Sequence, residues 1–126
     1  MRTALALAPS KQTIIYALVS DVTPNSDFNQ GLLGVYRSDA NGDPDSWQAK
    51  ATQADTNRVN LTLLSNPDSV FADICSNGKA SYGGQGFHDN VLAVDPLNPD
   101  RVWAGGVDTF RSDDGGVNWG IARTDR

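Results

Sequence analysis

The chain has 126 residues, a net charge of -5 and 39% hydrophobic content, enough for one globular domain with a modest core and too apolar for a disordered chain. Its Lys and Arg residues are scattered singly, which argues against a nucleic-acid partner, because a phosphate-binding face needs clustered basic charge. No apolar run approaches the roughly 20 residues of a membrane span.

In chain order, the first expected element is the apolar run Ala4 to Ala8. With Met1 to Thr3 it resembles the stub of a secretory leader, but it is too short for a full apolar region. It reads better as the first strand of a repeat, with the chain beginning inside a longer gene product. A turn at Pro9 leads to a β-branched strand, Thr13 to Val19. The polar stretch Ser20 to Gly31 is a long loop. Leu33 to Arg37 is the third strand, and Trp47 to Ala51 is the fourth. Residues 53–89 show no clear strand. The single cysteine, Cys75, lies there and cannot make an internal disulfide, so it reads as an idle or buried thiol, with pairing to a missing part of a parent protein as the alternative. Asn60-Leu61-Thr62 fits the N-glycosylation pattern. Four more strands follow: Val91 to Val94, Arg101 to Gly106, Thr109 to Arg111 and Trp119 to Arg123. No stretch keeps a helical period over three turns.

The eight strands are two copies of one unit. Pro9 matches Pro96 at an offset of 87, and there Ile15, Tyr16 and Ala17 meet Val102, Trp103 and Ala104. Tyr36-Arg37-Ser38-Asp39 then matches Phe110-Arg111-Ser112-Asp113 at an offset of 74. The offset falls because the first copy has a longer loop between its second and third strands. The organisation is a first blade over 1–52, a long inter-blade loop over 53–89 and a second blade over 90–126. Four antiparallel strands per repeat is the anatomy of a β-propeller blade. The expected fold is therefore all-β, a propeller segment of two four-stranded antiparallel blades. Two blades leave apolar faces uncovered, so the expected partners are the remaining blades of a parent propeller or further copies in a homo-oligomer.

Ser112-Asp113-Asp114-Gly115-Gly116-Val117-Asn118-Trp119 matches the pattern Ser/Thr-x-Asp-x-Gly-x-Thr-Trp except for Asn118 in place of Thr. Its logic is a tight strand-to-strand corner. Asp114 accepts turn amides, Gly116 takes a backbone shape that strains other residues, and Trp119 covers the turn. Ser38 to Trp47 is the same corner stretched by two residues. With the block Tyr82 to Asp108, these motifs resemble the Asp-box (BNR-repeat) propellers of the sialidase and sortilin-like superfamily. The resemblance implies a secreted protein, extracellular or periplasmic. It also implies that the box residues Ser112, Asp114, Gly116 and Trp119 are structural and lie away from any binding mouth.

Both long segments, Ser20 to Gly31 and Gln53 to Asp89, are expected at the end opposite the corners. Variable loops on a rigid face are where ligand sites form. The candidates there are Asp21, Asp27, Phe28, Tyr82, Gln85, Phe87, His88 and Asp89. His88 is the only histidine and could serve as acid, base, ligand or ordinary hydrogen-bond partner. Gly83-Gly84-Gln85-Gly86 lacks the following helix that a phosphate cradle needs. Asp39, Asn41, Asp43 and Asp45 alternate like calcium-loop ligands, but Pro44 stands where the loop needs Gly and Lys50 where it needs Glu. An elongated acidic turn is the reading, with calcium as the alternative.

The expected function is a structural or ligand-binding propeller segment, the ligand being a glycan or peptide. The alternative is part of a glycoside hydrolase, sialidase-like or a propeller-type endoglucanase, with most catalytic residues outside this chain. Such hydrolysis needs a pair of carboxylates or a Tyr/Glu pair, to which Asp21 or Asp89 could contribute one member. A sortilin-like peptide receptor is a third reading.

Overall fold

The computed structural model describes residues 2–66 and 82–122. Cys75, Arg123 and much of the segment 53–89 lie outside the described residues.

The described residues are nearly all-β and form two four-stranded antiparallel sheets. The first is built in the order β1 (Thr3–Leu7), β2 (Ile15–Ser20), β3 (Leu32–Ser38) and β4 (Trp47–Thr52). The second follows the same order with β5 (Val91–Val94), β6 (Val102–Gly105), β7 (Thr109–Ser112) and β8 (Gly120–Ile121). Each strand hydrogen-bonds to its sequence neighbour, so each sheet is a simple meander. A bulge at Val19/Ser20 and another at Val35/Tyr36 bend the first sheet.

The side-chain period of two explains how the sheets meet. In β1, Ala4 and Ala6 pack towards the second sheet, while Leu5 and Leu7 point away from it and are 66% and 56% exposed. Tyr16, Leu18, Val35 and Ala51 are fully buried on the packed face of the first sheet. Val94, Val102, Ala104 and Phe110 answer from the second. The sheets come closest where β1 lies beside β5.

Segment 53–64 fills the wedge between the sheets towards their outer strands. Its one regular element is a single 3-10 turn, Asn60–Thr62. Leu63 and Leu64 follow it into the core with no exposed surface. Burial of each contributes about 1.5–3 kcal/mol. Asn60 is 1% exposed and its amide donates to Asp55 Oδ2 and to the carbonyl of Val117, both at 2.8 Å. The folded chain thus spends the glycosylation-type triplet on internal hydrogen bonds.

The strand expected over Trp119 to Arg123 is shorter. Trp119 gives its backbone N–H to Asn60 Oδ1 at 3.0 Å and so stays out of the ladder. Pairing begins at Gly120, and the Ala122 N–H still reaches the Thr109 carbonyl at 2.9 Å.

Candidate functional site

The meander puts two kinds of connection at opposite ends. Residues 8–14, 38–47, 95–101 and 112–119 turn at one end. Residues 20–31, 82–90 and 106–108 connect at the other.

At the first end, the corner Ser112 to Trp119 is closed by its own side chains. Ser112 Oγ accepts the Gly116 N–H at 3.0 Å and donates to Asp114 Oδ1 at 2.8 Å. Asp114 Oδ1 also accepts the N–H groups of Val117 and Asn118, and Asp114 Oδ2 takes the Asn118 side-chain amide. Burial pushes the Asp114 carboxyl up, but these hydrogen bonds from Asn118, Ser112 and Val117 outweigh it and hold the pKa below its ordinary value. Gly115 and Gly116 have φ of 75° and 90°. Trp119 folds its indole N–H back onto the Gly116 carbonyl at 2.8 Å.

The longer corner keeps the frame without the carboxylate. Ser38 Oγ accepts the N–H groups of Ala40 and Gly42, and the Trp47 indole N–H reaches the Gly42 carbonyl at 3.1 Å. Ser46 Oγ contacts Ser38 Oγ at 2.5 Å, where Asp114 stands in the other copy. Of the acidic series considered for calcium, Asp39 is engaged by Arg37 Nε at 2.6 Å, and Asp39, Asn41, Asp43 and Asp45 are all exposed. Among the described residues, no group of three or more His, Cys, Asp or Glu side chains converges to hold a metal.

At the second end, the loops 20–31 and 82–89 come together as a layer of backbone. Gly84 N–H donates to Asn29 O, Gln85 N–H to Leu64 O and Gly86 N–H to Gln30 O. Glycine is required at this seam. A Cβ on Gly84 would stand 1.9 Å from Leu64 O, and one on Gly31 would stand 2.1 Å from Tyr82 O. The Gly-rich block is therefore a close backbone contact and not a phosphate cradle.

The candidates divide into three groups. Phe28 and Tyr82, from different loops, stack with centroids 5.1 Å apart and planes 15° apart. Gln85 caps a turn through its carbonyl, which accepts the N–H groups of His88 and Asp89. That turn sets Phe87 against the His88 ring at 4.1 Å, and His88 Nε2 lies 3.4 Å from Asp89 Oδ1. Phe87 is 59% exposed, so an apolar ring, an imidazole and a carboxylate edge share one open patch. Asp27 is exposed on the neighbouring turn.

Asp21 does not belong to this patch. It is 5% exposed and turned inward. Oδ1 accepts the Thr23 N–H at 2.7 Å, and Oδ2 accepts from Ser26 Oγ and Gln53 Nε2. Burial pushes its carboxyl up, yet the bonds from Thr23, Gln53 and Ser26 win and lower its pKa to about 2. A group so committed organises the 20–31 loop and offers no proton near neutral pH. Its place in the long Ser20 to Gly31 segment had put it on the binding face. The distant partner Gln53 carried no local signal.

Arg2 and Asn90 were not anticipated. Arg2 NH1 reaches the Phe87 carbonyl at 3.3 Å, and Asn90 Nδ2 donates to the carbonyls of Arg2 and Leu18. They tie the start of β1 to the turn that carries Phe87. Among the described residues, no helix is long and apolar enough to cross a membrane. Compared with known proteins, the chain matches no family model, and no curated protein matches it.

Proposed function

We propose that the chain forms two consecutive blades of a secreted Asp-box propeller, acting outside the cytoplasm, and that it binds a glycan or peptide at its loop end. One observation carries the binding site: two loops distant in sequence are fused by backbone hydrogen bonds and present the exposed pair Phe87 and His88 beside Asp89. An open aromatic face offers apolar contact, and His88 with Asp89 offers a donor and acceptors for hydroxyl or amide groups. The Asp-box reading is supported by the hydrogen bonds of Ser112, Asp114, Gly116 and Trp119, which use each motif residue for closing the corner. Binding is favoured over hydrolysis by this chain because Asp21 is consumed internally.

A glycan array and a peptide library probed with the purified chain test this reading, with Phe87→Ala alongside. The expected result is a defined ligand class bound by the wild type and lost in Phe87→Ala, while the circular dichroism of the two is the same. Binding that survives Phe87→Ala, or no binding to either library, overturns it.

A further inference from the structure

The two sheets repeat each other in how they are built to be covered. Tyr16 faces Arg37 across β2 and β3, and Trp103 faces Arg111 across β6 and β7. Arg37 binds Asp39 two residues on, and Arg111 binds Asp113 two residues on. In the first sheet this set has a mate. Tyr16 Oη donates to the Pro99 carbonyl at 2.7 Å, and Arg37 NH1 donates to Asp100 Oδ1 at 2.6 Å. The corner of the second sheet sits over them, with the Cβ position of Gly116 3.5 Å from Tyr16 and Val35. Trp103 and Arg111 occupy the matching positions on the outward face of the second sheet, although the Trp103 indole N–H can only donate, whereas Tyr16 Oη also accepts from Arg37 at 2.9 Å. There Arg111 is 50% exposed beside an open cleft of about 510 Å³ lined by Asp113, Asp114, Gly120 and Ala122.

The mating face recurs as well. Leu92, Val94, Val102, Ala104 and Phe110 are among the residues of the second sheet that pack towards the first, with Ile121 and the adjoining Trp119. At the equivalent positions Leu5, Leu7, Ile15, Ala17 and Tyr36 form the outward face of the first sheet. The corners correspond too, since Asn41 and Gly42 hold φ of 60° and 78° where Gly115 and Gly116 hold 75° and 90°. The half contributed by the second sheet is therefore present a second time, on the outer face of the first; on the outer face of the second sheet Trp103 and Arg111 recur, with Gly105 and Thr109 where the first sheet buries Leu18 and Val35.

We propose that these two outer faces bind each other between copies of the chain. The Leu5 and Leu7 face of one copy seats on the Trp103 and Arg111 face of the next in the arrangement already made within the chain, with less apolar bulk because Gly105 and Thr109 stand for Leu18 and Val35. The two surfaces differ, so the contact is head-to-tail, and its rotation decides whether it closes into a ring. The Trp103 indole N–H replaces the Tyr16 hydroxyl as donor, and the Gln12 carbonyl takes the place of Pro99. Thr13 occupies the place of Asp100, so Arg111 receives no carboxylate there and the contact between copies is weaker than the internal one. The inference rests on sheet geometry and is independent of the ligand-binding reading.

Sedimentation of the purified chain over a concentration series tests it, with folding of every variant checked by circular dichroism. The wild type is expected to associate with rising concentration. Leu5→Lys and Trp103→Glu, each spoiling one face, are expected to be monomeric alone and to form a dimer when mixed, because each keeps the face that the other lost. Thr13→Asp, which supplies the missing carboxylate, is expected to tighten association about fivefold, equivalent to about 1 kcal/mol, and only while Arg111 is present. A wild type that stays monomeric, variants that associate like the wild type, a mixture that stays monomeric, or a Thr13→Asp chain no tighter than its parent overturns the proposal.

Discussion

Asn60 Oδ1 holds the backbone N–H of Trp119 at 3.0 Å, so the connecting segment and the second corner are fixed to each other across the wedge between the sheets. Asn60→Asp keeps this acceptor but loses the two donors to Asp55 and Val117, and it sets a new carboxylate against Asp55. We expect a loss of about 2–4 kcal/mol, measured as a lower urea midpoint with unchanged slope.

Gly116 and Gly120 separate backbone from side-chain effects. Gly116 has φ of 90°, and a Cβ there meets its neighbours at an ordinary 3.5 Å. Gly116→Ala is expected to cost about 1–2 kcal/mol through the backbone alone. Gly120 has nothing within 4 Å of its Cβ position, and Gly120→Ala is expected to stay within about 0.5 kcal/mol of wild type. Thermal unfolding of both variants checks the contrast.

Arg37 joins Tyr16, Asp39 and Asp100 with its side chain only 14% exposed. Burial pulls its pKa down, but the bonds to Asp100 and Asp39 dominate and raise it, so it stays charged throughout the working range. Arg37→Met is expected to cost about 1–3 kcal/mol, because it leaves the buried Tyr16 hydroxyl without its Arg37 partner and loosens the contact between the sheets. Paired with Asp100→Asn in a double-mutant cycle, it should show a coupling of about 1 kcal/mol, kept small by the exposure of Asp100.

Acid should act through Asp21. Its pKa of about 2 lies below the ordinary value of 3.8, so the folded chain binds this proton less readily than the unfolded chain. The stabilisation is full above about pH 4 and is lost as pH falls from 4 towards 2. Wild type is expected to lose about 2 kcal/mol more than Asp21→Asn over that window. Equal losses in urea titrations at pH 4.5 and pH 2 would assign the acid sensitivity elsewhere.

Much of the architecture is legible in the residues themselves. The apolar run Ala4 to Ala8 and the β-branched runs mark strands, and the Ser112 to Trp119 spacing marks a corner, because both are governed by contacts within a few residues. The internal repeat then pairs the strands. What escaped was set at long range. Asn60 reads only as the acceptor of a glycosylation-type triplet until Trp119 meets it, and Leu63 and Leu64 join the core only because the segment folds back between the sheets. The loop end was legible as a region, through Phe28, Tyr82, Gln85, Phe87, His88 and Asp89. The inward turn of Asp21 was not, since its partner Gln53 lies on another connection.

The glycine seam under Phe87 has a mechanical consequence. Where Gly31 and Gly84 bring main chains into direct contact, no side chain lies between them to repack, and the layer can neither thin nor slide without breaking hydrogen bonds. Recognition at this end would then proceed on a stiff plate, with selectivity adjusted by rotation of the Phe87 and His88 rings and not by breathing of the loops beneath them.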